Sequence, residues 1–201
     1  MKKIITIVSI IISYNSISQN PVKLIDYSKT SIIEYYSMDS VNAFNSRKFD
    51  SVSIQIEFLR LLNQYRKFKG LGELQLDVNL CAAADNQCRY MVNTKYVGHV
   101  QDFNNVISGD IYPTLTDRIL QFYPNYNCVD YRISENALCF PIVICFGRNR
   151  TVAQQSLDQW ASSNKGHAQA QLNPNFTKIG ISFIKSPIDT KIYAVTVFSN
   201  K

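Results

Sequence analysis

Residues 178–198 read KIGISFIKSPIDTKIYAVTVF, and this stretch near the end of the chain has a clear strand-like pattern. Apolar residues dominate 179–183 and again 192–198, with the short apolar segments and β-branched side chains that are typical of strands. Turn-forming residues occupy 187–190 between them. Two strands joined by a short turn form an antiparallel hairpin. The sequence therefore predicts that the domain closes with one.

Helical patterns precede this hairpin. Apolar residues recur at helical spacing over 53–69 and over 77–93, and the second of these segments opens on an aspartate suited to an N-cap. A further helix is predicted over 151–163, and a short one starts at Asp117. The dense apolar run at 138–146 is either a strand or a buried loop. Helices followed by a closing hairpin favour an α+β domain in which helices cover a mainly antiparallel sheet.

The first eighteen residues have the three-part pattern of a secretory signal peptide. Lys2 and Lys3 precede an apolar run at 4–12, and Ser16 and Ser18 place small residues where signal peptidase cuts, so cleavage is predicted after Ser18. The alternative, an uncut membrane anchor, is disfavoured because a spanning helix needs about 20 apolar residues. We expect a mature protein without a transmembrane segment that is secreted or reaches the periplasm or cell envelope.

Composition indicates one folded domain. Of the 201 residues, 46% are hydrophobic and 18% are charged, a balance that predicts a packed core and excludes an intrinsically disordered chain. We place the domain at 53–201, after a polar extension at 19–52 with one predicted helix over 31–38. The net charge of +6 includes two signal-peptide lysines, and basic and aromatic residues do not interleave. A nucleic-acid partner is therefore not expected.

The five cysteines all lie beyond the signal peptide, where export makes disulfides possible. Cys81 and Cys88 are seven residues apart in a predicted helix, which separates their Cα atoms by about 10 Å. A disulfide requires Cα atoms within roughly 7 Å of each other, so we expect Cys81 and Cys88 to be unpaired, buried side chains. Cys128, Cys139 and Cys145 fall in a loop-rich stretch and are candidates for a disulfide. The odd count leaves at least one thiol free or intermolecular, and the spacings do not suggest a structural zinc site.

Few residues of the chain are candidates for catalysis or metal binding. His99 and His167 each follow a glycine, and Glu135 lies between them in a Ser-Glu-Asn tripeptide. Gathered in one cleft, two imidazoles and a carboxylate can bind a divalent metal such as zinc, or act as general acid and base. The alternatives are that Glu135 only accepts hydrogen bonds from backbone amides, that Asn136 is structural, and that Trp160 belongs to the core.

Seven short blocks between about residue 53 and residue 199 occur in a distinctive order. They are Leu62-Asn63-Gln64-Tyr65-Arg66 with Gly70-Leu71 and Leu74; Asp77, Leu80, Ala82, Ala83 and Met91; His99; Asp117-Arg118; Glu135-Asn136; Trp160 with Gly166-His167; and 172–180. In this order the blocks resemble the CAP superfamily of cysteine-rich secretory, antigen 5 and pathogenesis-related proteins, and specifically its bacterial secreted branch. The resemblance implies an α-β-α sandwich with a central cleft that holds His99, Glu135 and His167.

The chain departs from the family pattern at one position of the cleft. In eukaryotic members a second glutamate follows the tryptophan by three positions, and here that position is Ser163, or Ser162 if one extra residue precedes the second histidine. The resemblance implies that Ser163 and Asn136 lie beside the three cleft residues. Two carboxyl groups in different environments can divide acid and base roles, so the missing glutamate weakens a hydrolase assignment.

These observations lead to two main hypotheses and one weaker one. The first is a non-enzymatic binding module of the envelope or exterior, with a protein, lipid or cell-wall partner and a metal site at His99, His167 and Glu135. The second is a metal-assisted, peptidase-like hydrolase in which Glu135 activates water, so that Glu135 and His167 are its catalytic candidates. The third, a serine hydrolase using Ser163 with His167, lacks a Gly-x-Ser-x-Gly motif.

Overall fold

The computed structural model describes most of the predicted domain. The described residues are 49–105, 110–123, 125–126, 131–142, 144–145 and 150–201. The predicted signal peptide, the predicted helix over 31–38 and Cys128 lie outside them. In the described part of the chain, no helix is both long enough and apolar enough to span a membrane.

Five helices are described. They are α1 (Ser51–Phe68), α2 (Val78–Thr94), α3 (Leu115–Phe122), α4 (Val152–Ala161) and α5 (His167–Gln171), with a 3-10 turn at Phe103–Asn105. The two predicted long helices and the predicted helix over 151–163 are confirmed within a few residues. The five-residue α5 was not predicted, because one and a half turns give no detectable hydrophobic period.

Side-chain caps determine where the helices begin. Asp50 accepts hydrogen bonds from the first turn of α1, and Asp77 does the same for α2, as predicted. Thr114 caps α3 and forms a capping box with Asp117. Helix α3 therefore begins before Asp117 rather than at it, because that aspartate is the third residue of the first turn. Thr151 caps α4.

The sheet has the order β1-β3-β4-β2. Its strands are β1 (Gln75–Leu76), β2 (Ile133–Pro141), β3 (Lys178–Lys185) and β4 (Lys191–Ser199). The predicted closing hairpin is confirmed: β3 and β4 pair antiparallel, and β2 pairs antiparallel with the other side of β4. The two-residue β1 pairs parallel with β3, so the sheet is mixed rather than purely antiparallel. The apolar run at 138–146 belongs to β2 as far as Pro141, so this part of the run is a strand rather than a buried loop.

Strand β4 is buried on both faces, and its alternate residues belong to two separate cores. Ile192, Ala194 and Phe198 join one core with residues of α1 and α4, including Trp160, as predicted. Tyr193, Val195 and Val197 join the other core with residues of α2 and α3. Successive side chains of a strand point to opposite faces, so one central strand supports both layers. The result is an α-β-α sandwich.

The four described cysteines are all free thiols: Cys81, Cys88, Cys139 and Cys145. The prediction that Cys81 and Cys88 do not bridge each other is confirmed. Two of the three disulfide candidates, Cys139 and Cys145, are thus unpaired, and the third lies outside the described residues.

Candidate functional site

The site is built on β2, which lies at one edge of the sheet. Glu135 and Asn136 are consecutive in this strand, so their side chains point to opposite faces. Glu135 lies on the same face as Ala137, which joins the core under α2 and α3. Asn136 lies on the same face as Leu138, which joins the core under α1 and α4. One dipeptide therefore reaches into both helical layers.

Glu135 holds the His99 side of the site. Its Oε1 lies 3.0 Å from Nδ1 of His99, and its Oε2 accepts from Nη2 of Arg118 at 2.8 Å. The side chains of Arg118 and Glu135 are 0% and 2% exposed. Each oxygen of this buried carboxylate therefore already has a partner. The partner of Oε2 is the cationic guanidinium of Arg118.

The main chain around His99 is also fixed. Gln87 donates from Nε2 to the carbonyl of Gly98 at 2.6 Å, and Arg118 donates from Nη2 to the carbonyl of His99 at 3.2 Å. The His99 side chain is nevertheless 52% exposed. Because Nδ1 faces the buried carboxylate, Nε2 is the nitrogen of this ring that remains for a ligand.

His167 is held from the opposite layer. Its Nδ1 lies 2.9 Å from Oγ of Ser163, and its main-chain carbonyl accepts from Nδ2 of Asn136 at 3.1 Å. Burial lowers the pKa of His167, and the electrostatic effects of the nearby His99 and Lys165 lower it further. The imidazole of His167 is therefore mainly neutral near pH 7, the form in which histidine coordinates metals.

The structure assembles the predicted residues into two groups that meet at β2. His99 and Glu135 form one group together with Arg118, and His167 forms the other with Ser163 and Asn136. Among the residues that the structure describes, no three histidine, cysteine, aspartate or glutamate side chains come together as metal ligands. Both oxygens of Glu135 have partners, and one of these partners is the ring of His99.

Comparison with known families identifies this architecture. The model of the CAP (cysteine-rich secretory protein) family matches residues 59–198. The chain belongs to the CAP family. A search of curated proteins found no match by sequence.

Solved structures share the CAP fold at low sequence identity. An extracellular protein containing a SCP domain from Bacillus anthracis str. Ames is 20% identical, with a TM-score of 0.57 over 75% of this chain and 41% of its own. The present chain therefore spans less than half of that protein. An outer surface protein from Borrelia burgdorferi is 17% identical, with a TM-score of 0.58 over 77% of this chain and 98% of its own.

Two supporting residues of this CAP domain were not assigned a role from the sequence. Arg118 was noted only as part of a family block, and Gln87 was not noted. The sequence did contain an indication for Arg118. It lies on the apolar side of α3, the side that also carries Leu115, Ile119 and Phe122. A charged residue on the apolar face of a helix indicates a buried partner.

Ser163, rather than Ser162, is the serine that contacts His167, since Oγ of Ser162 donates to the carbonyl of Asp158. Ser163 lies just past the C-terminal end of α4, and its own N–H donates to the carbonyl of Trp160. Unpaired carbonyls, not N–H groups, point outward from that end of a helix. The location is unsuited to an oxyanion hole and does not favour the serine-hydrolase hypothesis.

Proposed function

We propose that this chain is a non-enzymatic CAP-domain binding module whose cleft takes a divalent metal such as zinc through Nε2 of His99 and Nε2 of His167. The observation that carries the proposal is the occupied carboxylate of Glu135, which accepts from both Arg118 and His99. Glu135 then orients a ligand instead of activating water.

The donor set fits a divalent metal. A histidine that binds a metal through one ring nitrogen commonly donates a hydrogen bond from the N–H of its other ring nitrogen to a carboxylate or another acceptor. His99 makes such a contact with Glu135, and His167 has Ser163 Oγ at its Nδ1. With two protein ligands, a zinc ion would keep open coordination positions for water or for a group of the partner.

The same geometry argues against the peptidase-like alternative. A general base needs a free lone pair within reach of the reacting water. Both oxygens of Glu135 already have partners and its side chain is 2% exposed, so a reacting water has little access to the remaining lone pairs. The family resemblance places Ser163 where a second carboxylate would divide the acid and base roles. His167 is then a metal ligand rather than a catalytic residue.

A binding role outside the cytoplasm agrees with the surroundings of the cleft. Four exposed apolar side chains lie close to His99 in the sequence, and clustered apolar surface commonly marks an interaction site. They are Tyr96, Val97, Val100 and Phe103. Similar folds occur in an extracellular and in an outer-surface protein, and the sequence begins with a signal-peptide pattern. The proposed partner is a protein, a lipid or a cell-wall polymer.

Isothermal titration of zinc into the purified mature protein tests the proposal. We expect one bound ion in the wild type, and at least a tenfold weaker affinity in His99→Ala and in His167→Ala. Cys139→Ser is the matched control, since a half-buried free thiol is the main competing ligand type. Zinc binding that survives both histidine changes would contradict the proposal. Peptide hydrolysis lost in both His99→Ala and Glu135→Gln would establish the hydrolase instead.

A further inference from the structure

We propose that Arg118 is the positioning residue of the cleft: through one guanidinium it fixes both the main chain and the ring of His99, so that Nε2 faces the ligand. The part of this inference that concerns metal affinity rests on the proposed function. The part that concerns the proton on His99 does not.

The contacts of Arg118 converge on the His99 loop. Its Nη2 donates to Glu135 Oε2 at 2.8 Å and to the carbonyl of His99 at 3.2 Å, while Nη1 donates to the carbonyl of Tyr112 at 3.2 Å. A guanidinium is planar and carries its donors in a rigid fork. Fixing this group therefore fixes the carboxylate and the loop relative to each other. A lysine could supply the charge at this position but not the fork.

The charge of Arg118 matters for the tautomer of His99. A buried charge is tolerated when it is paired and hydrogen-bonded, and Arg118 supplies that partner to Glu135. An ionised carboxylate can only accept hydrogen bonds. His99 must then carry its proton on Nδ1, which leaves the lone pair of Nε2 directed away from Glu135. The Arg118 contact also keeps Oε2 occupied and away from a bound metal.

The test compares Arg118→Lys with Arg150→Lys in the metal-free mature protein. Arg150 is a matched control, because it forms another largely buried ion pair, with Asp158 of α4, on the face of the sheet away from His99. Long-range 15N–1H correlation spectra report the histidine tautomers. We expect a single Nδ1–H form of His99 in the wild type and in Arg150→Lys, and a mixture of tautomers in Arg118→Lys, because a lysine keeps the charge but cannot hold the carboxylate of Glu135 against Nδ1 of His99. Zinc affinity should fall 10- to 100-fold in Arg118→Lys alone.

The outcomes distinguish a failure of the Arg118 positioning role from a failure of the proposed metal site. A single Nδ1–H form retained in Arg118→Lys, or an Nε2–H form in the wild type, would overturn the positioning role. Mixed tautomers together with unchanged zinc affinity would also overturn it. Mixed tautomers with no zinc binding by any variant would support the positioning role and refute the metal site. If Arg118→Lys does not fold, Arg118→Gln, which keeps Glu135 and a side-chain donor but not the fork, replaces it, and a mixture of tautomers is again expected.

Discussion

Asn136 donates its side-chain Nδ2 to the main-chain carbonyl of His167 at 3.1 Å. The preceding residue of the strand, Glu135, accepts from His99 in the opposite layer. His99 lies in a loop and His167 begins α5, 68 residues later in the sequence, and side chains of one edge strand contact both residues. Because β2 pairs with β4 along its whole length, the sheet holds Glu135 and Asn136 in place beneath the two histidine segments.

Asn136→Ala should weaken both the fold and the cleft. Asn136 is fully buried, so its loss leaves the carbonyl of His167 without its donor, at a cost of roughly 1–3 kcal/mol in the free energy of unfolding. Zinc affinity should also fall, because α5 is less firmly held. Urea unfolding and zinc titration measure the two effects. Asn125→Ala, an exposed change, is the control, and an equal effect in both variants would contradict this assignment.

Gly180→Ala should be strongly destabilising. A Cβ at this position would lie 2.1 Å from the main-chain carbon of Leu80 and 2.5 Å from the main-chain nitrogen of Cys81. Helix α2 approaches β3 so closely that only a glycine fits, and backbone atoms cannot rotate away. We expect a loss of about 3 kcal/mol or more by urea unfolding. Gly72→Ala is the matched control, since a Cβ there meets nothing within 4 Å, and its midpoint should stay close to that of the wild type.

The sequence predicted the parts of the fold that local chemistry determines. Asp77 indicated where α2 begins, and the apolar patterns at 179–183 and 192–198 indicated the hairpin, because caps and strand periods act over a few residues. The parallel β1 was missed, because a two-residue strand has no period and exists only through its pairing with β3. Its pairing partner lies about a hundred residues away in sequence.

The site was predicted in part. The family resemblance placed His99, Glu135 and His167 in one cleft, but the role of each depends on contacts that residue types do not encode. The sequence allowed Glu135 to ligate a metal, to activate water or to cap backbone amides. The structure shows it between Arg118 and His99, a pairing that arises only when α3 packs beside the loop after α2.

The free thiols should react at very different rates in the native protein. Burial raises the pKa of Cys145 to about 12 and of Cys81 to about 11, and it also raises that of the fully buried Cys88. Thiolate is the reactive form, so Cys88 and Cys145 should resist iodoacetamide at pH 8. Half-buried Cys139 should label first of the four. Timed alkylation with peptide mass spectrometry, and a urea-unfolded control, checks the order. Rapid native labelling of Cys88 would contradict the buried position of this side chain on α2.

Acid should weaken the closing hairpin through Asp189 in its turn. Burial alone would raise the pKa of Asp189, but hydrogen bonds from Ser186 and Tyr193, and from the main chain of Lys191, lower it to about 2. A carboxyl group with a lowered pKa stabilises the fold above its ordinary value near 4. That contribution is lost as the pH falls from about 4 to about 2.

Asp189→Asn should therefore be less stable than the wild type at pH 7, and the difference should shrink as the pH falls from about 4 to about 2. Urea unfolding at a series of pH values measures this difference. Tyr193→Phe removes one of the donors, since the hydroxyl of Tyr193 lies 2.8 Å from Asp189 Oδ2, and it should move the acid transition toward higher pH. Asp110→Asn, at an exposed position, is the control. A difference between the wild type and Asp189→Asn that stays constant down to pH 2 would show that these hydrogen bonds do not favour the ionised form.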